Sequence, residues 1–411
     1  MPDPGRLMPP ARRAVRRVAG LVGATPYNWT TLKMVRRREW LYRGRRVIPR
    51  GRLEFRSPAP ATDDDVALCR RLIDAYARAS DARAGAPRTT GIWEWIRDER
   101  QGRLADALER REPDRLAAML ASMFREEFVV GMAYGDLIRD AMSPLGARIW
   151  WLRSLDSLVS LAEALAVVPV ETPEQGRVGV ALEHGVTGVV AAIERALGTT
   201  IDFPAVGAAY GIRAGSTLVA PDSPEQIYAA VRLRDAARRH AGADGELRVV
   251  EIGAGYGAMA YWFLRLCPTV RRYWIVDLPI VNVLQGYFLS QALGPERVSL
   301  LGETPRQVAI LPDSRLDAIE APYDVLANKD SMPEMPEAAM IGYLEWARAT
   351  CGGILFSYNQ EAGAAFRGEP QNVVPQAVAR VGGFARVRRD LSWVRPGYVE
   401  EIYERAERPA P

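Results

Sequence analysis

Between Arg248 and Trp262 the chain reads VVEIGAGYGAMAYW after the arginine: an apolar strand ending in an acid, three glycines at alternate positions, and a helix beginning at once. Few folds tolerate such a run. Gly253, Gly255 and Gly257 let the backbone turn sharply and approach a ligand without Cβ clashes, and the following helix presents free N–H groups. Twenty residues after Gly257 a second apolar strand, YWIVD, ends in Asp277, an acid placed to accept ribose hydroxyls from a ligand in the same turn. A nucleoside-containing cofactor is therefore expected at this turn. Gly253, Gly255 and Ala258 also satisfy the loose dinucleotide pattern, so the spacing alone leaves NAD or FAD open beside S-adenosylmethionine, with a ligand-free structural turn as the plain alternative. Glu251 favours the sulfonium cofactor, because an acid two residues before the first glycine gives an amino-acid ammonium group a partner. A dinucleotide fold also needs a second mononucleotide half, and only one is visible.

The surroundings of this turn indicate a parallel sheet covered by helices. Strands are expected at Leu247–Ile252, Arg272–Asp277, Val298–Leu301, Tyr323–Ala327, Gly353–Tyr358, Phe384–Leu391 and Tyr398–Tyr403, with helices between them, notably Ile280–Leu293 and Glu337–Thr350. The short turn at Pro396-Gly397 leaves room for one antiparallel edge strand. Upstream, from Ala61 to about Gly198, apolar residues return every three or four positions, the pattern of an all-helical domain. Residues 201–223 are rich in Gly, Ala and Pro and read as a connection, after which Ser223-Pro224-Glu225-Gln226 reads as a helix start with serine at the N-cap. The expected organisation is a basic arm over 1–60, a helical acceptor-binding lid over 61–220 and an α/β cofactor-binding domain over 221–411.

Charge is uneven along the chain. Residues 1–60 hold 15 Arg/Lys against three acids, so the net +4 of the 411 residues leaves the remainder near −8. The arm could touch an anionic membrane surface weakly, Ala11–Gly23 being a short amphipathic candidate, or could be merely solvated. Lysine occurs only at Lys33 and Lys329, and the arginine skew fits a GC-rich bacterial genome. No window approaches a membrane-spanning run, and no secretory segment is read. Cys69, Cys267 and Cys351 are too few and too scattered for a disulfide framework or zinc site, which favours a reducing cytoplasm. No nucleic-acid partner is expected, and a homo-oligomer is compatible with the sequence. Trp93, Trp95, Trp150 and Trp151 are either core or the walls of a sugar or macrocycle pocket.

EIGAGYGAMA, YWIVDLPIVNVLQGYFLS, NKDSMPEM and LFSYNQ, in this order and spacing, resemble the sugar O-methyltransferases of bacterial glycan and natural-product gene clusters. The resemblance covers roughly 203–403, and Ala327 and Lys329 depart from it. It implies a seven-stranded Rossmann-like class I methyltransferase domain using S-adenosylmethionine on a hydroxyl of a sugar or glycosylated metabolite. By that resemblance Glu251, Gly253, Ala254, Gly255 and Gly257 hold the methionine end, Asp277 and Leu278 hold the ribose and adenine edge with help from Gln285, and the turn Gly302-Glu303 touches the adenine amino group. A non-sugar O, N or C acceptor, or a degenerate scaffold without turnover, are the rivals.

Methyl transfer needs an aligned nucleophile and a group to take its proton. Residues following the fourth and fifth strands lie at the reactive end of such sheets. Asp330 is the first candidate base and Glu334 the second, Asn328 borders the cofactor, and His184 would serve instead if the helical domain folded over the site. A magnesium-assisted variant would use Asp330, Glu334 and Glu361 as oxygen ligands.

Overall fold

The computed structural model describes residues 31–37, 40, 51–82, 92–133, 143–242, 245–361, 363, 365–366 and 369–406. The amphipathic candidate Ala11–Gly23 lies outside the described residues. Along the chain come β1 (Glu54–Phe55), α1 (Asp63–Ala82), α2 (Ile92–Arg100), α3 (Gly102–Glu109), α4 (Pro113–Leu120), α5 (Pro144–Ala164) and α6 (Gly185–Leu197). Next are β2 (Tyr210–Ala214), β3 (Thr217–Val219), α7 (Ser223–Ala241), β4 (Leu247–Ile252), α8 (Ala258–Leu266), β5 (Val270–Asp277), α9 (Pro279–Leu293), β6 (Val298–Ser299) and β7 (Val308–Pro312). The chain continues through β8 (Tyr323–Lys329), α10 (Glu337–Thr350), β9 (Cys351–Gln360), the hairpin β10 (Ala365–Phe366) and β11 (Glu369–Pro370), α11 (Val374–Val381), β12 (Phe384–Leu391) and β13 (Tyr398–Arg405).

These elements group into two compact units that interleave along the sequence. One takes the described residues within Met1–Phe55, Asp136–Phe203 and Tyr210–Pro224; the other takes Arg56–Gly135, Pro204–Ala209 and Glu225–Pro411. The boundaries expected at 60/61 and 220/221 do not follow this grouping. The physical reason is tertiary: α1 packs on α9, so the first helices belong with the sheet.

The first unit is not all-helical. β1, β2 and β3 form an antiparallel sheet, β1 coming from the stretch expected as a basic arm and β2 and β3 from the stretch expected as a bare connection. Its main helix, α5, starts on a Ser143 cap whose Oγ accepts from Gly146 N at 3.1 Å, and is buried nearly all round, Trp150 and Trp151 included. A basic residue of the expected arm is part of its core: Arg37 pairs with Asp156 at 2.9 Å and with Glu163.

The second unit carries an eight-stranded mixed sheet in the order β12-β13-β9-β8-β4-β5-β7-β6. All neighbours from β6 to β9 run parallel, and β13 is antiparallel to both β9 and β12. The antiparallel strand is thus second from the edge, because β12 takes the rim. Central strands such as β4 and β9 are buried on both faces, which is why they read as continuous apolar runs, whereas the rim strand β12 is largely exposed. On one face Val250, Trp274, Leu326 and Leu355 pack with Leu344 of α10 and Val378 of α11. α1 opens on a reciprocal cap, Asp65 N donating to Thr62 Oγ1 at 3.2 Å and Thr62 N to Asp65 Oδ2 at 2.7 Å. The cap expected at Ser223 is not made; its hydroxyl is buried without a hydrogen-bond partner and α7 begins at that residue. Among the described residues no helix is long and apolar enough to cross a membrane.

Candidate active site

β4 neighbours β5 on one side and β8 on the other, so successive connections leave it in opposite directions and a crevice opens beyond its carboxyl end. A cavity of about 550 Å³ occupies that crevice, within the range of small-molecule sites. Glu251, Gly253, Ala254, Gly255, Asp277, Leu278, Asp330 and Glu334 all face it.

Gly253, Gly255 and Gly257 adopt φ of 72°, 58° and 95°, the left-handed region that side chains avoid. At Gly253 the demand is also spatial, since a Cβ there would stand 2.0 Å from Ser331 Oγ. Ser331 is held in turn: its hydroxyl donates to Ile252 O at 3.0 Å, and Asn328 Nδ2 donates to the same carbonyl at 2.9 Å. Asn328 also accepts from Asn359 Nδ2 at 3.0 Å, and Asn359 Oδ1 accepts from Asp330 N at 2.9 Å. Asn328 is therefore a buried brace between the ends of β4, β8 and β9, and does not itself line the cavity.

Two carboxylates on this wall, buried Glu251 and half-buried Asp277, have no cation bonded to them among the described residues. Glu251 accepts from Tyr273 Oη at 2.7 Å, and burial pushes its pKa up to about 7 against the pull of that bond and of Lys329. Asp277 accepts from Leu278 N at 2.8 Å and Gln285 Nε2 at 2.7 Å, yet burial, with Asp313 adding like charge, carries it to about 7 as well. Gln285 works from behind, bonding both Asp277 and Gly255 O, and is not on the cavity surface.

The acceptor side is built by the loop after β8. Asp330 sits at φ 73°, a conformation Asp tolerates better than most, and aims its carboxylate at Tyr398 Oη, 2.6 Å away, and at Arg395. Arg395 and Lys329 converge on Glu225 Oε1 at 2.9 and 2.7 Å. Burial alone would raise Glu225, but these two cations hold it well below the usual carboxylate range. Glu334 is different. It lies half-buried on the cavity wall that Trp93 also lines; desolvation first, and Asp330 second, push it up to about 7, against the pull of Arg395, Trp93 and Lys329.

Several expected residues stand elsewhere. Gly302 and Glu303 do not line the cavity: Glu303 is clamped by Arg71 of α1 at 2.8 Å, and Arg78 covers Gly302. The strand beside β5 is β7, not β6, so the turn that reaches the cavity is Asp313-Ser314, one strand closer to the centre. Gly257 packs under Leu289 away from the cavity. His184 is an exposed residue at the start of α6 in the other unit and does not line the cavity. Glu361 turns onto Arg389 at 2.6 Å, so Asp330, Glu334 and Glu361 do not assemble into the suggested magnesium set, and no group of three such side chains forms a metal cluster among the described residues.

Sequence reasoning missed Asp313 and Ser314, whose only signal was the run VAILP before them, and the roof residues Gly131 and Met132. Lys329, noticed only as a departure from the family pattern, also borders the cavity. Of the four tryptophans singled out, Trp93 lines it.

No protein-family profile matches the chain, and no curated protein does. Among solved structures, mitomycin 7-O-methyltransferase MmcR is similar at 15% identity over 83% of this chain and 95% of its own, with a TM-score of 0.36. The CcbJ methyltransferase from Streptomyces caelestis overlaps 44% of this chain and 96% of its own at 16% identity and TM-score 0.33. The pyocyanin biosynthetic protein PhzM overlaps 45% of this chain at 16% identity and TM-score 0.33, and only 56% of that protein is spanned. At this level of likeness the functional reading rests on this chain's own residues.

Proposed function

We propose that this protein is an enzyme that transfers a methyl group from S-adenosylmethionine to a hydroxyl of a small molecule in the cavity beyond β4. The observation that carries the reading is a pair of carboxylates, buried Glu251 and half-buried Asp277, flanking a glycine loop and bonded only by uncharged donors. A buried carboxylate without a cation is costly, and a ligand that brings an ammonium group to one and hydroxyls to the other relieves both. S-adenosylmethionine brings these groups, and when bound it supplies an electrophilic methyl on a sulfonium. Glu251 would face the ammonium, Asp277 the ribose, Leu278 with Asp313 and Ser314 the base, and the glycine loop the carboxylate. The pyrophosphate of NAD or FAD would instead add negative charge next to Glu251, which disfavours that alternative.

On the acceptor side Glu334 is the better proton acceptor. Both oxygens of Asp330 are engaged by Arg395 and Tyr398, which keeps that carboxylate satisfied and the loop in place. A carboxylate near 7 both holds a useful fraction of its basic form at neutral pH and has the driving force to take a proton. The sequence resemblance supports a sugar or glycosylated acceptor. A non-sugar ring hydroxyl is a second reading, favoured by the apolar surface of Trp93, Met132, Met335, Pro336 and Tyr343 around the acceptor end. Metabolites of the producing cell, compared by mass spectrometry with and without this protein, are expected to differ by one methyl group, about 14 Da, on an oxygen; identical profiles would favour the scaffold alternative.

A further inference from the structure

Lys329 is the only cation among the described residues that line the cavity, and the proton transfer assigned to Glu334 leaves it without a part. It ends β8, and the sheet register fixes its place. Glu251 pairs with Ala327, two residues before Lys329, so Lys329 stands on the same sheet face as Glu251, further toward the carboxyl ends of the strands. Its partner on β9 is Tyr358, whose ring centroid lies 5.7 Å from the ammonium. The side chain is only 8% exposed, a placement lysine keeps when its charge is answered. Glu225 answers it: Oε1 stands 2.7 Å from Nζ, and Arg395 holds the same oxygen at 2.9 Å. Asp330 Oδ2, at 3.9 Å, is too far for a hydrogen bond. An ammonium carries three N–H donors, and Glu225 engages one.

We propose that Lys329 is a catalytic residue of the acceptor half: a second N–H donates to the oxygen that is methylated. A hydroxyl oxygen has one hydrogen and two lone pairs, and the cavity supplies a partner for each. The hydrogen passes to Glu334, one pair forms the bond to the methyl carbon as the carbon–sulfur pair returns to sulfur, and the other pair accepts from Lys329. The products are a methyl ether, S-adenosylhomocysteine and protonated Glu334, so atoms and charge balance. Pairing with Glu225 matters as much as the donor itself. It cancels most of the Lys329 field at a distance, so Glu334 keeps its basicity, while the N–H acts at contact on charge developing at the oxygen. The same arrangement favours an uncharged acceptor, because an acidic group beside the oxygen would meet Glu334 with no unpaired cation among the described wall residues. The proposal rests on the methyl-transfer reading above.

Sinefungin, which carries an ammonium-bearing carbon where S-adenosylmethionine carries the methyl-bearing sulfur, is the probe, and S-adenosylhomocysteine, which has no charge there, is its control. Calorimetry compares them on the full chain and on Lys329→Met. Loss of the lysine charge is expected to raise sinefungin affinity about tenfold relative to S-adenosylhomocysteine, since two cations meet at that point. An unchanged ratio overturns the proposal, because a merely structural lysine would affect both ligands alike. Incorporation of labelled methyl into a small-molecule extract of the producing cell is expected to fall about 10²–10³-fold in Lys329→Met, and undiminished incorporation overturns it as well. Should the variant fail to fold, the unaltered chain decides. Lys33 and Lys329 are its only lysines, so isotope labelling of lysine nitrogen reports just these side chains by magnetic resonance, and Lys33→Arg tells them apart. The Lys329 ammonium signal is expected to move further with sinefungin than with S-adenosylhomocysteine; equal responses overturn the proposal. If S-adenosylhomocysteine itself does not bind, the methyl-transfer reading falls and takes this role with it, whereas binding with a fixed ratio removes the role of Lys329 alone.

Discussion

The core of the first unit and the cavity wall of the second treat acids in opposite ways. In the first, Asp156 and Glu163 are answered by Arg37, with Asp156 also accepting from the Arg36 and Arg37 amides at 2.9 and 3.1 Å and Glu171 receiving the Trp40 indole at 3.2 Å. On the cavity wall of the second, Glu251 and Asp277 are bonded only by neutral donors and Glu334 has no ion pair among the described residues; each is pushed to about 7, and all three face one cavity. Compensated buried charge is structural, whereas buried carboxylates left short of a cation are tolerated where a ligand or a proton completes them.

Removing Glu334's charge breaks the contrast at its chemical end. Glu334→Gln is expected to lower turnover about 10²–10⁴-fold with cofactor affinity retained, measured as incorporation of labelled methyl into the acceptor fraction. Asp330→Asn should cost less, since Tyr398 can still donate to the amide oxygen; a larger loss than Glu334→Gln would restore Asp330 as the base.

Arg37→Met tests the other unit. It leaves Asp156 and Glu163 buried without their cation and is expected to destabilise that unit by about 3–5 kcal/mol in chemical denaturation while leaving cofactor affinity untouched. A loss below about 1 kcal/mol would place these acids outside a compensated core.

The cofactor wall gives a smaller effect with a distinctive pH signature. Glu251 titrates near 7 in the fold against 4.5 as its ordinary value, so the unfolded chain releases that proton first and the ligand-free protein loses stability as pH rises from about 4.5 through about 7. Glu251→Gln should therefore melt higher than the unaltered chain at about pH 8, melt alike at about pH 4, and bind S-adenosylmethionine roughly tenfold more weakly. Equal melting at both pH values would mean that Glu251 is already compensated.

The parts legible in the sequence are the local ones. The strand, glycine loop and helix from Leu247 and the acid ending the next strand are written in consecutive residues, and so are Phe384–Leu391 and the helix Glu337–Thr350. β7 escaped because five apolar residues after a polar turn look no more strand-like than Val298–Leu301, and the adenine-side turn was displaced by one strand as a result. Tertiary facts were out of reach. Asp330 and the arginine that occupies it are 65 positions apart, and the helix that supplies Trp93 reads simply as part of an amphipathic series. Nor does periodicity reveal that the helical region splits, part joining the sheet and part forming a unit with three short strands.

The central claim is that the crevice beyond β4 takes a sulfonium nucleoside through Glu251 and Asp277. Isothermal calorimetry with S-adenosylmethionine, run on the unaltered chain and on Asp277→Ala, addresses it directly. Saturable binding at one site, weakened about 10–100-fold by the substitution in a protein that melts normally, is the predicted result. No heat with S-adenosylmethionine, binding of NAD in its place, or an affinity indifferent to Asp277 would contradict it.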